Sequence, residues 1–296
     1  MKILVTNNTL AGVGGSETYA YTLVMELKRK GFHVDAVSAS SLGPISKKLT
    51  ENGISATSVV PSKEYDLILM SHTSSVPKLV GVKGLRIQTC HGAYHQLEQP
   101  TREANKHVAV SEEVQKHLKG LGFESSVIYN GVDLNRFKPV NPIGSSVKTI
   151  LSLSQSGTLN QRLKRICAQL GIKLIELNKF ANPTFNVEDY INQADMVISI
   201  GRGVYESLAC GRVVLCLDQR HYIGAKPIGD GMVTEANVRD LLRFNCSGRF
   251  SKTEFDDNKI IQAIQSYKKE MGDFGREFAN SELNISHQVD KYLALK

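Results

Sequence analysis

The stretch MVISIGRGVYESLACGRVVLC, residues 196–216, decides the fold. Two short apolar runs, MVISI and VVLC, bracket a helical segment of small residues, VYESLACG, entered through Gly201-Arg202-Gly203. An apolar run without polar alternation reads as a strand buried on both faces, and a helix between two such strands is a crossover. The stretch is therefore strand–turn–helix–strand, the repeating element of a parallel α/β sheet. One acid, Glu206, stands in this otherwise small and apolar helix, near its expected start. The helix dipole alone favours an acid there. The same carboxylate could hold hydroxyls of a ligand whose anionic part rests on that helix end.

The rhythm extends in both directions. Before it come the strands KILVTNN (2–8), HVDAVSA (33–39), ISATSVV (54–60), YDLILMS (65–71), LRIQTCH (85–91), HVAVS (107–111) and SSVIYNG (125–131). The helix SETYAYTLVMELKRKG (16–31) carries Tyr19, Leu23 and Leu27 on one stripe and stops at Gly31. Residues 132–147, VDLNRFKPVNPIGSSV, have the composition of a hinge. A second alternation follows: KTILSLS (148–154), helix 159–171, KLIELN (173–178), helix 187–194, the opening stretch, and VVLCLD (213–218). Helical segments close the chain. The expected architecture is α/β, with two Rossmann-like domains, 1–141 and 142–283, facing across a cleft.

The chain has 296 residues, and Lys+Arg at 36 against Asp+Glu at 29 leaves a net charge of +7. That excess permits anionic partners without selecting one. Five cysteines, an odd number with no C-x-x-C, fit buried thiols in a reducing compartment. No signal peptide and no 18-residue apolar run are present, so the expected location is cytoplasmic, peripheral to the inner membrane face at most.

Several candidate sites follow. The loop TLAGVGGSE (9–17) places Gly12 and Gly14 as a G-x-G-x-x-G would, but Glu17 replaces the third glycine. The second strand also ends in Ser-Ala-Ser-Ser where a ribose-binding acid is required, so a nicotinamide cofactor is disfavoured. Gly14-Gly15 still lets backbone amides approach a phosphate or sugar closely. His91 closes a strand, and His95 lies four residues on, a spacing that pairs metal ligands on a helix face. No third ligand follows, and no metal is expected. Ser111 reads as a helix N-cap, and Asn130-Gly131 as a tight turn. There is no phosphate-binding G-x-x-x-x-G-K-[ST], no G-x-S-x-G and no Asp-x-Asp. A bound diphosphate would then be neutralised by backbone amides with Arg202, Arg162 and Lys164, the last two being equally compatible with a solvated helix face.

Four landmarks in order, GVGGSETYAYTLVMELKRKGFHV, TCHG, VSEEV…VIYNGVDLNRFKP and GRGVYESLACGRVVL, resemble retaining glycosyltransferases of family four, which have the GT-B fold. The resemblance implies an acceptor-side first domain, a second domain that binds a nucleotide-sugar, and a last helix, 284–296, that packs back on the first. It implies that Glu206 grips the donor ribose and that Gly14, Gly15, Gly201, Gly203 and Arg202 surround the diphosphate, with Asn130 and Arg162 nearby. It implies that His91 contacts the donor sugar. The co-substrate would be a nucleotide-diphosphate-sugar, a UDP-sugar first, and transfer would keep the anomeric configuration without a metal. The acceptor would be a glycan, a lipid-linked saccharide or a hydroxymethylated base in DNA. Relatives carry a further glutamate where this chain has Ile198, and an Arg and a Lys where Gln155 and Asn160 align. Those departures keep open a non-catalytic nucleotide-sugar or glycan-binding protein.

Overall fold

Lys2–Asn7 (β1) is buried from Ile3 onward because both faces of the strand are covered, as its unbroken apolar run requires. This is the computed structural model of the chain, describing residues 1–220 and 226–296. After β1 come Gly15–Arg29 (α1), His33–Ser38 (β2), Pro44–Glu51 (α2), Ser55–Thr57 (β3), Glu64–Met70 (β4), Lys83–Cys90 (β5), Lys106–Ala109 (β6), Glu112–Gly120 (α3) and Ser126–Val127 (β7). The seven strands form one parallel sheet in the order β3-β2-β1-β4-β5-β6-β7. The order reverses between β1 and β4, so the loops after these two strands open the crevice where such sheets hold ligands. The α1 stripe, Tyr19, Leu23 and Leu27, is buried as its spacing predicts.

The second sheet is built from Thr149–Ser152 (β8), Gly157–Leu170 (α4), Lys173–Glu176 (β9), Val187–Ile191 (α5), Met196–Ser199 (β10), Arg202–Ala209 (α6), Val213–Asp218 (β11) and Ile228–Met232 (β12). Val238–Arg243 (α7), Thr253–Glu254 (β13), Asp257–Gln265 (α8), Glu270–Glu282 (α9) and Ile285–Ala294 (α10) complete the chain. Its order is β13-β12-β11-β10-β8-β9, reversing between β8 and β10. The strands β8 to β11 pair in parallel, whereas β12 and β13 add an antiparallel edge absent from the sequence reading. Gly229 explains the edge: a Cβ there would lie 2.3 Å from the Cys216 carbonyl oxygen, beside a break in register at Cys216/Leu217. A glycine-rich run that reads as loop becomes a strand at such a close approach.

The chain divides into two units, Met1–Gly131 with Ile285–Lys296, and Val132–Asn284. The division thus falls after Gly131, earlier than the expected 141/142. The supposed hinge is fastened to the second unit. The Val140 amide donates to Asn192 Oδ1 at 2.9 Å, the Gly144 amide to Asp195 Oδ1 at 3.1 Å, and buried Arg212 donates to the Asn141 and Ala194 carbonyls. In the first unit α10 lies against α1. Tyr292 Oη stands 3.0 Å from Tyr19 Oη and 2.7 Å from Thr89 Oγ1, all buried. Asn130-Gly131 makes no tight turn; the Gly131 amide donates to Gln288 Oε1 at 2.7 Å, and a Cβ on Gly131 would meet Ile285 Cα at 2.6 Å. The glycine is there because α10 passes so near.

Candidate functional site

The reversal between β8 and β10 places the turn before α4 beside the turn before α6. Gly201 caps α6 with φ +60° and ψ −133°, a backbone that only glycine adopts without strain. Its amide donates to the Cys246 carbonyl at 2.8 Å. Gly203 serves packing: a Cβ would lie 2.1 Å from Ser199 Oγ and 3.0 Å from Leu153 Cδ1. It lets the helix settle onto the ends of β10 and β8, and this close fit is what the structure shows of it.

Glu206 lies in the second turn of α6, not at its start, because the helix begins at Arg202. The carboxylate is buried and accepts from Arg202 Nη2 at 2.9 Å. Burial pushes the Glu206 carboxyl above the usual range, while the guanidinium groups of Arg202 and then Arg136 pull it back in part. Arg136 is itself held: Nε and Nη2 donate to the two oxygens of Glu188 at 2.9 and 2.7 Å, Nη2 also donates to the Phe185 carbonyl, and the guanidinium lies 4.0 Å from the Phe185 ring centre. The charges therefore alternate, Glu188–Arg136 beside Glu206–Arg202. Neither Arg136 nor Glu188 is picked out by sequence pattern, since they meet only through the path of residues 132–147.

The turn after β8 is uncharged and tightly bonded. Asn160 Oδ1 accepts from Ser152 Oγ at 2.7 Å, and Gln155 Oε1 accepts from the Lys179 amide at 2.9 Å. Ile198 is a core side chain of the second sheet. Arg162 points to no member of the α6 group; its Nε and Nη2 both approach Asp257 Oδ1, at 2.7 and 2.6 Å. Lys164 pairs with Glu176 at 3.0 Å. A pair absent from the sequence reading stands at the end of β11, where Asp218 Oδ2 accepts from Arg220 Nε at 2.6 Å.

In the first unit, Gly14 caps α1, whose opening turn carries Glu17. A Cβ on Gly14 would lie 2.7 Å from Glu17 Oε2, whereas nothing approaches Gly15 within 4 Å. The Glu17 carboxylate thus folds back over the loop, at the positive end of the helix. His91 directly follows β5, with its ring 4.6 Å from the Tyr19 ring edge-on and 6.2 Å from the His72 ring. His72, at the reversal beside β1, accepts at Nδ1 from the Asn8 amide at 3.2 Å. Burial pushes its pKa down to about 4, with His95 adding to the fall. His72 stands two residues past β4, as His91 stands one past β5, so YDLILMS followed by His carries the same signal. The helix-face pairing of His91 with His95 is not formed, because His95 caps the short turn Gln96–Glu98, accepting at Nδ1 from the Leu97 amide. Asn130 is buried in this unit, and its Oδ1 has no hydrogen-bond partner among the described residues. Among those residues no group of three or more His, Cys, Asp or Glu is arranged to hold a metal ion.

With this geometry established, the known proteins add a family and a fold. The model of Glycosyltransferase Family 4 matches residues 13–136, from the loop before α1 to just past Gly131. Most of the first unit is thus similar to Glycosyltransferase Family 4. Both units have the α/β form of GT-B glycosyltransferases. AviGT4, a glycosyltransferase involved in avilamycin A biosynthesis, matches with a TM-score of 0.59 at 13% identity, over 99% of this chain and 96% of that one. An α-glucosyltransferase in complex with UDP and a 13-mer DNA containing an HMU base matches at 0.58 and 9%, over 99% and 98%. WaaG, involved in lipopolysaccharide biosynthesis, matches at 0.56 and 10%, over 98% of each. No curated protein matches the chain in sequence. Ser111 caps α3 as expected, and no helix among the described residues is long and apolar enough to cross a membrane.

Proposed function

We propose that this chain moves a sugar from a nucleotide-diphosphate-sugar to an acceptor hydroxyl, with the nucleotide held by the second unit. The observation that carries the reading is the buried Arg202–Glu206 pair at the N-terminal end of α6, beside the strand-order reversal. A glycine-capped helix end offers amide dipoles to a phosphate. Arg202 then exchanges its carboxylate for the diphosphate, and Glu206 exchanges its guanidinium for the ribose hydroxyls. Each buried charge keeps a partner throughout, so desolvation, which makes lone buried charges costly, is not an obstacle.

In this reading the protein supplies no nucleophile. It stabilises the charge that develops on the departing diphosphate and holds the acceptor on the same face of the sugar, so the anomeric configuration is retained. Arg202 and the amides carry the charge without a divalent cation. A UDP-sugar is the first donor to try, and the acceptor is a glycan, a lipid-linked saccharide or a hydroxymethylated DNA base. Among the fold relatives, an α-glucosyltransferase in complex with UDP and DNA containing an HMU base, and WaaG, involved in lipopolysaccharide biosynthesis, support that choice.

A second reading has its own observation. Ile198 is in the core, and Asn160 and Gln155 serve their own turn, so the chain would be a nucleotide-sugar-binding protein without turnover. A panel of UDP-, GDP- and ADP-sugars, assayed with excess EDTA for release of nucleoside diphosphate with and without mixed acceptors, separates the two. Turnover that survives EDTA and gives a product of unchanged anomeric configuration supports transfer. Tight binding with no release from any donor supports the second reading.

A further inference from the structure

The turn that leaves β9 holds a phenylalanine in solvent on a tightly fastened backbone. Phe180 is 78% exposed, yet each backbone amide from Leu177 to Asn182 is bonded. Leu177 donates to the Ser152 carbonyl, Asn178 to Asn182 Oδ1 at 2.7 Å, Lys179 to Gln155 Oε1 at 2.9 Å and Phe180 to Asn178 Oδ1 at 2.9 Å. Ala181 and Asn182 both donate to the Asn178 carbonyl, and Asn182 Nδ2 closes the turn on the Glu176 carbonyl at 2.9 Å. A lone apolar side chain on a loose surface loop needs no explanation. Here three amide side chains, those of Asn178, Asn182 and Gln155, hold the backbone beneath an exposed ring, so little order remains to be imposed when something binds it.

The same connection is fixed at both ends against the α6 site. Gln155 fastens its start to the turn after β8, at the strand-order reversal. Gln155 stands where the resemblance calls for a cation, and it bonds this turn instead. At the far end, Glu188 of α5 pairs with Arg136 beside Glu206. Only β8 lies between β9 and β10, so the ends of β9 and β10 stand about 10 Å apart, the reach of a nucleotide from base to phosphates.

We propose that Phe180 is the stacking platform for the nucleobase of the donor. The inference rests on the donor reading given above. Lys179 Nζ lies 4.9 Å from the ring centre and covers one face, leaving the other for the base. Every base has a π-face, so the ring holds a base without choosing among them. Phe250 is the other exposed aromatic of the second unit among the described residues, at 41%. It leans on the Phe244 ring at 5.7 Å and precedes β13, the outer strand on the opposite side of β10 from β9.

The test uses the full chain with Phe180→Ala, Phe180→Leu and Phe180→Tyr, and with Phe250→Ala as a comparison, titrated calorimetrically with UDP, GDP and ADP and with their nucleosides. The Phe180 ring is exposed and its turn is braced by other side chains, so its three variants should melt as wild type does. For the diphosphate that binds best, Phe180→Ala should weaken binding roughly 5- to 150-fold, as loss of a stacked ring does, and weaken its nucleoside by the same factor. Phe180→Tyr should bind within about twofold of wild type, whereas Phe180→Leu, apolar but without a π-face, should fall with the alanine variant. No loss in Phe180→Ala, a loss for the diphosphate alone, or a leucine variant that binds as wild type overturns the proposal. A loss that appears in Phe250→Ala instead overturns it too, and each of these results leaves the donor reading standing. A wild-type chain that binds none of the diphosphates overturns the donor reading and this inference with it.

Discussion

Replacing Glu206 by glutamine separates a structural ion pair from a ligand-binding carboxylate. The pair with Arg202 is close and buried, at 2.9 Å with side-chain exposures of 12% and 9%. If it were a plain structural pair, removing one partner would cost about 3–5 kcal/mol. For a unit of this size that is a fall in Tm of roughly 6–20 °C. The electrostatics argue otherwise. Burial raises the Glu206 pKa despite the two guanidiniums, so the folded state disfavours the ionised carboxyl. By linkage, the stability from this group is present below the ordinary carboxyl pKa and is lost as pH rises through the folded value. A permanently neutral isostere escapes that pH-dependent loss, so its Tm falls by less than the figure for a plain structural pair. Donor binding should suffer, because a carboxylate accepting from ribose hydroxyls contributes charge-assisted bonds of about 1.5–3 kcal/mol, or roughly 10- to 150-fold in Kd. Differential scanning fluorimetry and calorimetric titration with UDP on the same preparations read both quantities. A glutamine variant that melts far below wild type refutes the burial argument. One that melts normally and binds the diphosphate at wild-type affinity refutes the role.

Two further outcomes follow from the first unit and from the thiols. His72, held neutral by burial with a pKa of about 4, contributes stability that is present above its ordinary value of 6.5 and lost as pH falls through 4. Urea unfolding should show up to about 3 kcal/mol lost over that window, and His72→Asn, which keeps an acceptor for the Asn8 amide, should flatten the slope; equal slopes would sink the assignment. Glu98, whose carboxyl is raised by burial, titrates with the opposite sign but is common to both chains. All five cysteines are buried and unbridged, with Cys167 pushed up to about 11 and Cys90 and Cys210 to about 12. A thiol reagent at pH 8 should label the native chain far more slowly than the unfolded one, and a single fast thiol would contradict this.

Much of this architecture is legible along the chain because a buried parallel strand needs an unbroken apolar run and an amphipathic helix needs its stripe. Lys2–Asn7 and the Tyr19, Leu23, Leu27 stripe are of this kind. What escapes local reading depends on who lies beside whom. The β12 edge is hidden by glycines that make sense only against the Cys216 carbonyl. Residues 132–147 have a hinge's composition, yet Asn192, Asp195 and Arg212, all distant in sequence, pin them down. The α6 motif was readable as a motif, but its charge partners were not. Arg136 meets Glu188, and Ser154 meets Asp218, only once the strand order is known. His72 escapes for a smaller reason: the run YDLILMS, 65–71, stops one residue short of it.

The first unit is interrupted by the second, and this orders events during synthesis. When Gly131 has been made, Tyr19 and Thr89 still await the phenol of Tyr292, and the amide of Gly131 awaits Gln288. At about 5–20 residues per second, translating the whole intervening unit takes roughly eight to thirty seconds. The earlier-born sheet must spend that interval with α1 bare on the side where α10 will lie.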